Sequence, residues 1–365
     1  MKITLITQYL EGHGGTERVI SNLVNEDLKN EYQVLIPKSG KPEWLQWITR
    51  TTGYQLKICH AQDTQAQKEF IEKNVLAAEP DIVLGLEGRA CVTAYQIRKK
   101  YDLHYKIVSW GHTSIAESNI FARQELAFSE YHLAISTGIK KQLIKLGVPA
   151  QKIFLIYNPI RTVNKKTIST PKANAPFHAI FIGRILLDDQ KNVRMLLESM
   201  AQLNIPWKLD IFGKGADLPK AKTLANDLHI SQNINWQGWM PNPWEAINEA
   251  DCLLLCSKYE GFPMVVIEAA SYGLPIVSTN CPTGPADIIN SHNGILTPMN
   301  DQKAFIAACR QIYRLRGKYN HTDIKKTVLK FDVSRYIKHI ENIYNLIAAD
   351  NKNTDKSAIK LSSLS

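Results

Sequence analysis

The stretch DCLLLCSKYEGFPMVVIEAASYGLPIVSTN, residues 251–280, decides the fold. Its first apolar run is typical of a strand, its middle part of a helix, and its last run of a second strand. Pro263 suits the first turn of the helix and Gly273 suits its end. The loop before the helix carries Glu260, and the second helical turn carries Glu268. The stretch therefore predicts a strand–helix–strand unit of a parallel sheet, with a carboxylate on either side of a short apolar run.

The same alternation of strands and helices extends over most of the 365 residues. In the first half, ITLITQ (3–8) precedes a glycine-bearing turn and a helical stretch, and further strand candidates lie at 33–37, 81–86, 106–112, 132–136 and 153–158. In the second half, strand candidates also lie at 178–184, 207–215, 234–239 and 294–298. Between the halves, RTVNKKTISTPKANA (161–175) loses the apolar periodicity, so we interpret it as an interdomain linker.

The length of the chain suits two domains, because single hydrophobic cores stop growing at about 250–300 residues. We predict an α/β fold with two doubly wound domains, at 1–165 and 166–333. A helix at 334–350 is predicted to pack back toward the first domain, and 351–365 is predicted to be a flexible tail.

Composition narrows the class of protein. Apolar residues make up 44% and charged residues 21%, which is typical of a folded chain. The sequence shows neither a signal peptide nor an apolar run long enough to span a membrane, so we expect a cytoplasmic protein. The six cysteines lack metal-ligand spacing, and Cys252 and Cys256 suit core packing, so we expect neither a disulfide nor zinc. The net charge of +10 suits a phosphorylated small molecule, an anionic membrane or nucleic acid, and does not choose among them.

Ligands of doubly wound sheets bind beyond the carboxyl ends of the strands, so the loops at those ends are candidate sites. Gly14 and Gly15, in GHGGT (12–16), permit close approach of a phosphate or sugar, although a plain tight turn explains them equally. The loop lacks G-x-G-x-x-G spacing, which counts against a nicotinamide dehydrogenase. His112, in SWGHTS, is either a satisfied structural residue or a site residue at the end of a strand.

Three loops of the second half suit a nucleotide. Arg184 and Lys191, near Gly183 in GRILLDDQKN, are two cations that could replace a metal ion around a pyrophosphate, or could belong to a solvated basic loop. GWMPNPW (238–244) could hold a flat base or pack at a domain edge. The amides of Met264 and Val265 open a helix and favour an anion.

Glu268 raises a separate question. A carboxylate in an otherwise apolar helix needs a polar partner, which sugar hydroxyls would supply, unless the position is simply exposed.

Taken together, several residues resemble the retaining glycosyltransferases of family four, which have the GT-B fold of two Rossmann-like domains facing across a cleft. The resemblance spans 1 to about 350 and rests on Gly14-Gly15-Thr16, His112, Gly183-Arg184, Lys191 and above all EGFPMVVIE (260–268), which matches the E-x₇-E element of the family. Within the family, the chain is more similar to lipopolysaccharide core galactosyltransferases that use UDP-galactose. This closer similarity rests on GGTERVISN, SWGHTS, YHLAISTGIKKQL, IYNPI, EGFPMVVIEAASYG and the residues around 238–244 and 281–285.

The resemblance implies roles for individual residues. Glu268 would hold the ribose hydroxyls, and Glu260 would face the donor sugar together with Gly261, Phe262 and Pro263. Arg184 and Lys191 would bind the diphosphate and stabilise the leaving group, assisted by the amides of Met264 and Val265. The remaining implied contacts are Trp239 and Met240 beside the base, Gly14, Gly15 and Gly183 near the phosphates, and His112 at the transferred sugar.

The resemblance also implies a reaction. A hexose, with galactose favoured, would move with retention from a UDP-sugar to a lipopolysaccharide or lipooligosaccharide core. The UDP-sugar would be a co-substrate, and no metal or other cofactor is expected. Other donors (UDP-glucose, UDP-GlcNAc, GDP-mannose) and other acceptors (capsule, glycolipid, protein) remain alternatives, as do an epimerase and a nucleotide-binding module.

The first half of the chain is the part that the GT-B resemblance places on the acceptor side, and it also contains the candidate contacts with a membrane. Basic stretches at 97–101 and 138–147, with Trp44 and Trp47, could rest on an anionic membrane surface, or could be solvated helix faces and buried tryptophans. Diffuse basicity and two sugar-facing carboxylates argue against nucleic acid as a partner.

Overall fold

The computed structural model describes residues 1–10, 14–40, 48–61, 63–162 and 166–362, with backbone only for Tyr9, 39–40 and 351–362. The chain divides into two compact units. The first unit contains Met1–Pro159 and Val333–Ser365, and the second contains Ile160–Asp332. The division at 159/160 lies six residues before the predicted boundary at 165/166.

The first unit is built on a seven-stranded parallel sheet with the order β5-β3-β1-β6-β7-β8-β9. Its strands are β1 (Lys2–Ile6), β2 (Tyr9–Leu10), β3 (Glu31–Ile36), β4 (Ser39–Gly40), β5 (Tyr54–Ile58), β6 (Ile82–Gly85), β7 (Lys106–Ser109), β8 (Tyr131–Ala134) and β9 (Ile153–Leu155), with β2 and β4 forming a separate pair. The helices of its N-terminal part, before Pro159, are α1 (Gly15–Glu26), α2 (Thr64–Ala78), α3 (Gly88–Lys100) and α4 (Thr137–Lys145). The central strands read as continuous apolar runs because both faces of the sheet are covered.

The second unit is built on a six-stranded parallel sheet with the order β12-β11-β10-β13-β14-β15. Its strands are β10 (Phe177–Ile182), β11 (Trp207–Phe212), β12 (Ile234–Gly238), β13 (Cys252–Leu255), β14 (Ile276–Thr279) and β15 (Gly294–Thr297). Its helices are α5 (Val193–Ala201), α6 (Leu218–Asp227), α7 (Met264–Ser271), α8 (Pro285–Ile288), α9 (Gln302–Arg314) and α10 (His321–Thr327). Cys252 and Cys256 lie in its core, as predicted.

A last helix, α11 (Val333–Ser362), belongs to the first unit. Its residues Ile340, Ile343, Tyr344 and Ile347 are buried, and Glu341 forms a 2.6 Å ion pair with Lys29. The helix continues beyond residue 350, where the sequence predicted a flexible tail to begin. No helix in the described ranges combines the length and the apolarity that a membrane crossing requires.

Each sheet reverses its strand order at one point, which is where doubly wound sheets bind ligands. The reversal lies between β1 and β6 in the first sheet and between β10 and β13 in the second. The strand predicted over 106–112 ends at Ser109, where its pairing with Gly85 and His132 of the two neighbouring strands also ends. His112 therefore lies in the loop beyond the sheet.

Candidate active site

An ion pair joins the two loops at the reversal point of the second sheet. Lys191, after β10, places Nζ 2.6 Å from Oε1 of Glu260, after β13. The Ser257 hydroxyl donates to the same carboxylate oxygen at 2.6 Å, and the Thr283 hydroxyl donates to the main-chain oxygen of Glu260. The side chains of Lys191 and Glu260 are only 12% and 7% exposed. The resemblance assigned both residues to the donor, and the structure shows that they contact each other.

Arg184 is the second cation of this edge, and its side chain is exposed. Its guanidinium donates to Oε1 of Gln190 at 2.6 Å. Gln190 is itself fixed, because its side-chain Nε2 donates to the main-chain oxygen of Tyr259 at 3.2 Å and its main-chain oxygen accepts from the main-chain nitrogen of Lys258 at 2.8 Å. A neutral amide thus orients Arg184, and no ion pair to this guanidinium is found among the residues that the structure describes.

Helix α7 turns one partly exposed face away from the core. Met264, Val265 and Glu268 are partly exposed, whereas Val266 and Ile267 are fully buried. Met264 and Val265 lie on the same face as Glu268 because they precede it by four and three positions. Pro263 precedes the helix as its N-cap, so the first amides of α7 are free of intrahelical partners. Gly261, Phe262 and Pro263 are buried in the preceding loop.

Glu268 is held by an indole. Nε1 of the buried Trp244 donates to its Oε2 at 2.9 Å, and the Trp244 ring stacks on Tyr272 with a centroid distance of 5.3 Å. Trp239 and Met240 are partly exposed, and the ammonium of Lys214 lies 5.2 Å from the centre of the Trp239 ring. The sequence placed 238–244 near a base, but it did not indicate that Trp244 contacts the carboxylate.

Glycines allow the loops after β10 and β11 to meet. Gly213 has a φ of 148°, and a Cβ atom there would lie 1.9 Å from the main-chain oxygen of Gly183. Only glycine fits such an approach, so any other residue at 213 would displace the loop that carries Arg184. Gly183 also lies beside Lys191, since a Cβ atom on it would be 3.7 Å from Cε of the lysine.

The predicted glycines of the first unit lie at the start of a helix. Gly14 is the exposed N-cap of α1 and Gly15 is its exposed first residue. Gly12 and His13 of the predicted loop lie outside the described residues, whereas Thr16 is the second residue of α1.

His112 has two buried ring nitrogens, and neither makes a hydrogen bond to a residue that the structure describes. Its ring lies 4.5 Å, centre to centre, from that of the buried Trp110. Burial lowers the pKa of His112 to about 3, so the imidazole is neutral at physiological pH. A neutral imidazole offers one donor and one acceptor to a ligand.

Glu87 was missed by the sequence analysis. It follows β6 at the reversal point of the first sheet, accepts a 2.7 Å hydrogen bond from the Thr7 hydroxyl, and accepts another from the main-chain nitrogen of Gln8 at 3.2 Å. Burial raises the pKa of Glu87 to about 7, and the Thr7 hydroxyl and the Gln8 N–H act in the opposite direction. The available signal was an acidic residue directly after the strand candidate at 81–86.

Within the part of the chain that the structure describes, no three His, Cys, Asp or Glu side chains are placed to hold a metal ion. Asp188, in the loop that the sequence analysis judged a poor metal site, pairs with Arg194 at 2.6 Å.

The chain is similar to known proteins in sequence and in structure over most of its length. The family described as glycosyl transferases group 1 matches residues 164–327. The lipopolysaccharide 1,6-galactosyltransferase of Salmonella typhimurium is 30% identical over 355 residues, which cover 94% of this chain and 98% of that protein. The chain belongs to the group 1 glycosyl transferases. This glycosyl transferase is also similar to the solved apo structure of the lipopolysaccharide outer core galactosyltransferase WaaB, with a TM-score of 0.81, 30% identity, and coverage of 96% of this chain and 100% of that one.

A more distant likeness supports the fold of this glycosyl transferase. HepE from Anabaena, solved with UDP-glucose, is 16% identical with a TM-score of 0.77, covering 94% of this chain and 99% of its own. The predicted family and the predicted GT-B fold are confirmed. The roles assigned to the site residues of this glycosyl transferase stay predictions.

Because the buried His112 is neutral, the free energy of unfolding of the protein is predicted to fall in acid. Between pH 6.5 and pH 3 the unfolded chain binds a proton on this ring that the folded chain does not, so stability falls as the pH falls. Acidification from pH 7 to pH 5 is expected to cost about 2 kcal/mol of unfolding free energy through His112. Urea unfolding at both pH values measures this, and the loss should shrink in His112→Gln. The exposed His60 supplies the control His60→Gln, and an equal acid loss in His112→Gln and the wild type would contradict the prediction.

Proposed function

We propose that this enzyme transfers galactose from UDP-galactose to a lipopolysaccharide core, with retention of the anomeric configuration. The observation that carries the proposal is the buried Lys191–Glu260 pair at the reversal point of the second sheet, beside Arg184 and the free amides of α7. The relatives from Salmonella typhimurium and Escherichia coli are both lipopolysaccharide 1,6-galactosyltransferases, and this similarity suggests the sugar and the acceptor.

The cations act on the leaving group. Cleavage of the sugar–phosphate bond builds negative charge on the diphosphate and positive charge at the anomeric carbon. Arg184, Lys191 and the amides of Met264 and Val265 stabilise the growing negative charge more in the transition state than in the ground state. In this proposal they supply most of the catalysis, and no metal ion takes part.

The nucleoside lies along α7 in this proposal. Glu268 accepts hydrogen bonds from the ribose hydroxyls with the carboxylate orientation that Trp244 sets, while Trp239 and Met240 border the uracil. On the first unit, Gly14 and Gly15 approach the phosphates and the neutral His112 contacts the transferred sugar.

Retention follows from attack on the same face of the sugar, with the leaving phosphate accepting the proton of the acceptor hydroxyl. The state of Glu260 supports this route over a covalent one. Its Oε1 accepts a 2.6 Å hydrogen bond from the Ser257 hydroxyl, and hydrogen bonds from hydroxyl groups make a carboxylate a weaker nucleophile. A sugar adduct on Glu260 found by mass spectrometry would overturn the same-face route.

A donor and acceptor screen tests the function. The purified enzyme is incubated with UDP-galactose, UDP-glucose, UDP-GlcNAc or GDP-mannose, with and without lipopolysaccharide truncated before its 1,6-linked galactose. The expected product gains one galactose, its anomeric configuration is retained by NMR, and EDTA leaves the rate unchanged. Epimer formation from UDP-galactose alone would favour an epimerase, and nucleotide binding without transfer to any acceptor would favour a binding module.

Association with an anionic membrane, on its cytoplasmic face, is part of the proposal because the acceptor is a lipid. Helix α4 presents exposed Lys141 and Lys145 beside Ile144, which is 45% exposed. Such lysines near an anionic surface contribute about 1 kcal/mol each. Trp44 and Trp47 lie outside the described residues. Sedimentation with phosphatidylglycerol vesicles at low salt is expected, with loss of binding in Lys141→Glu/Lys145→Glu, and indifference to anionic vesicles would refute the association.

A further inference from the structure

The two cations at the reversal point of the second sheet contact different kinds of partner. Lys191 forms a 2.6 Å ion pair with the Glu260 carboxylate, and both side chains are largely buried. Arg184 donates to the neutral amide oxygen of Gln190 at 2.6 Å and is exposed. The charge of Lys191 is therefore already compensated before any ligand binds, whereas Arg184 meets an incoming anion with its full charge.

A diphosphate that contacts Lys191 has to compete with Glu260 for the ammonium. If the ammonium turns to the phosphate, Glu260 keeps the 2.6 Å hydrogen bond from the Ser257 hydroxyl but loses its charged donor. A buried carboxylate that loses such a donor is unfavourable unless other donors replace it. The like charges of carboxylate and diphosphate add a second unfavourable contribution.

The sugar of the donor can replace the lost hydrogen bonds. Hexose hydroxyls donate to carboxylates, so a sugar beside Glu260 compensates this side chain when Lys191 moves to the diphosphate. UDP carries the same diphosphate without these hydroxyls. Binding of UDP therefore leaves Glu260 under-compensated, whereas binding of the UDP-sugar does not.

We infer that the Lys191–Glu260 pair discriminates between the sugar-loaded donor and spent UDP. The inference rests on the proposed function and assigns Glu260 a second role, in product release. While the sugar is attached, its hydroxyls hold Glu260 and the diphosphate holds Lys191. Once the sugar has been transferred, Lys191 returns to Glu260, the diphosphate loses one of its cations, and UDP leaves.

Calorimetric titration of UDP and of UDP-galactose, each without acceptor, tests the inference. Glu260→Gln is expected to bind UDP about tenfold more tightly than the wild type, because Lys191 no longer has to leave an ionised partner. The same variant should bind UDP-galactose no more tightly than the wild type, since an amide is a weaker acceptor for sugar hydroxyls. The preference for UDP-galactose over UDP should thus fall about tenfold or more.

Two further variants serve as controls. Ser257→Ala removes a donor to Glu260 but leaves the ion pair, so it should not tighten UDP binding. Lys191→Met should lower UDP affinity more when it is introduced into Glu260→Gln than when it is introduced into the wild type. In Glu260→Gln the lysine has no ionised partner and is fully available to the diphosphate, so more affinity depends on it. Should Glu260→Gln fail to fold, Glu260→Asp, which draws the carboxylate away from Lys191, is expected to show a smaller gain in UDP affinity.

The outcomes separate the inference from the function on which it rests. A folded Glu260→Gln that binds UDP no more tightly than the wild type, with wild-type binding intact, overturns the inference alone. A wild-type protein that binds neither UDP nor UDP-galactose overturns the proposed function as well.

Discussion

Replacement of Lys191 by methionine is expected to lower kcat about 10²- to 10³-fold, because one of the two cations that stabilise the leaving diphosphate is lost. The same change leaves the buried Glu260 carboxylate without its cation, and breaking a buried pair costs about 3–5 kcal/mol of folding free energy. Steady-state kinetics with UDP-galactose and urea unfolding measure the two effects separately.

The double variant Lys191→Met/Glu260→Gln separates catalysis from stability. Removing both charges relieves the unpaired carboxylate, so most of the lost stability should return, but turnover should stay low. Lys258→Met is the matched control, because this exposed lysine is nearby and donates to the main-chain oxygen of Asp188 at 2.6 Å. If the double variant recovers turnover together with stability, Lys191 has a structural role only.

Replacement of Glu268 by alanine is expected to raise the Kd of UDP and the KM of the donor about 10²- to 10⁴-fold. A carboxylate that accepts two ribose hydroxyls makes charge-assisted hydrogen bonds of about 1.5–3 kcal/mol each. The value of kcat should change far less, because the ribose is remote from the bond that breaks. Calorimetry with UDP and initial rates over a range of donor concentrations provide the measurement.

Two variants define what Glu268 does. Trp244→Phe keeps the carboxylate and removes the 2.9 Å indole hydrogen bond that orients it, so a smaller loss of UDP affinity is expected. Glu245→Ala removes an exposed carboxylate near the Trp244–Tyr272 stack and should leave UDP affinity unchanged. Equal losses of kcat in Glu268→Ala and Glu260→Ala would show that the two glutamates do not divide the donor as proposed.

The sequence predicted the two doubly wound sheets because parallel strands buried on both faces leave continuous apolar runs, as at 251–256. It also indicated Arg184, Lys191 and Glu260, because each lies in a loop after the carboxyl end of a strand, and Glu268, because it is a carboxylate in an otherwise apolar helix. Strand ends were less predictable. The run at 106–112 continues past Ser109, but the pairing with both neighbouring strands ends there, at Gly85 and at His132.

Side-chain pairing could not be predicted, because it depends on which loops the sheet order brings together. The Lys191–Glu260 pair joins residues 69 positions apart, and it forms because β10 and β13 are neighbours at the reversal point. The hydrogen bond between Thr7 and Glu87 forms for the same reason between β1 and β6. Nothing in the sequence distinguishes Gln190 from other polar loop residues. Only its hydrogen bonds with Arg184 and Tyr259 show that it positions a cation.

The first unit is assembled from two separated parts of the chain, Met1–Pro159 and the helix that begins at Val333. Ile340, Tyr344 and Ile347 of that helix fill its core. During synthesis the second unit has therefore left the ribosome completely while the first still lacks a helix and exposes the apolar surface that this helix covers. Synthesis of the helix that begins at Val333, rather than emergence of the N-terminal segment, sets the earliest time at which the first unit can reach its final structure.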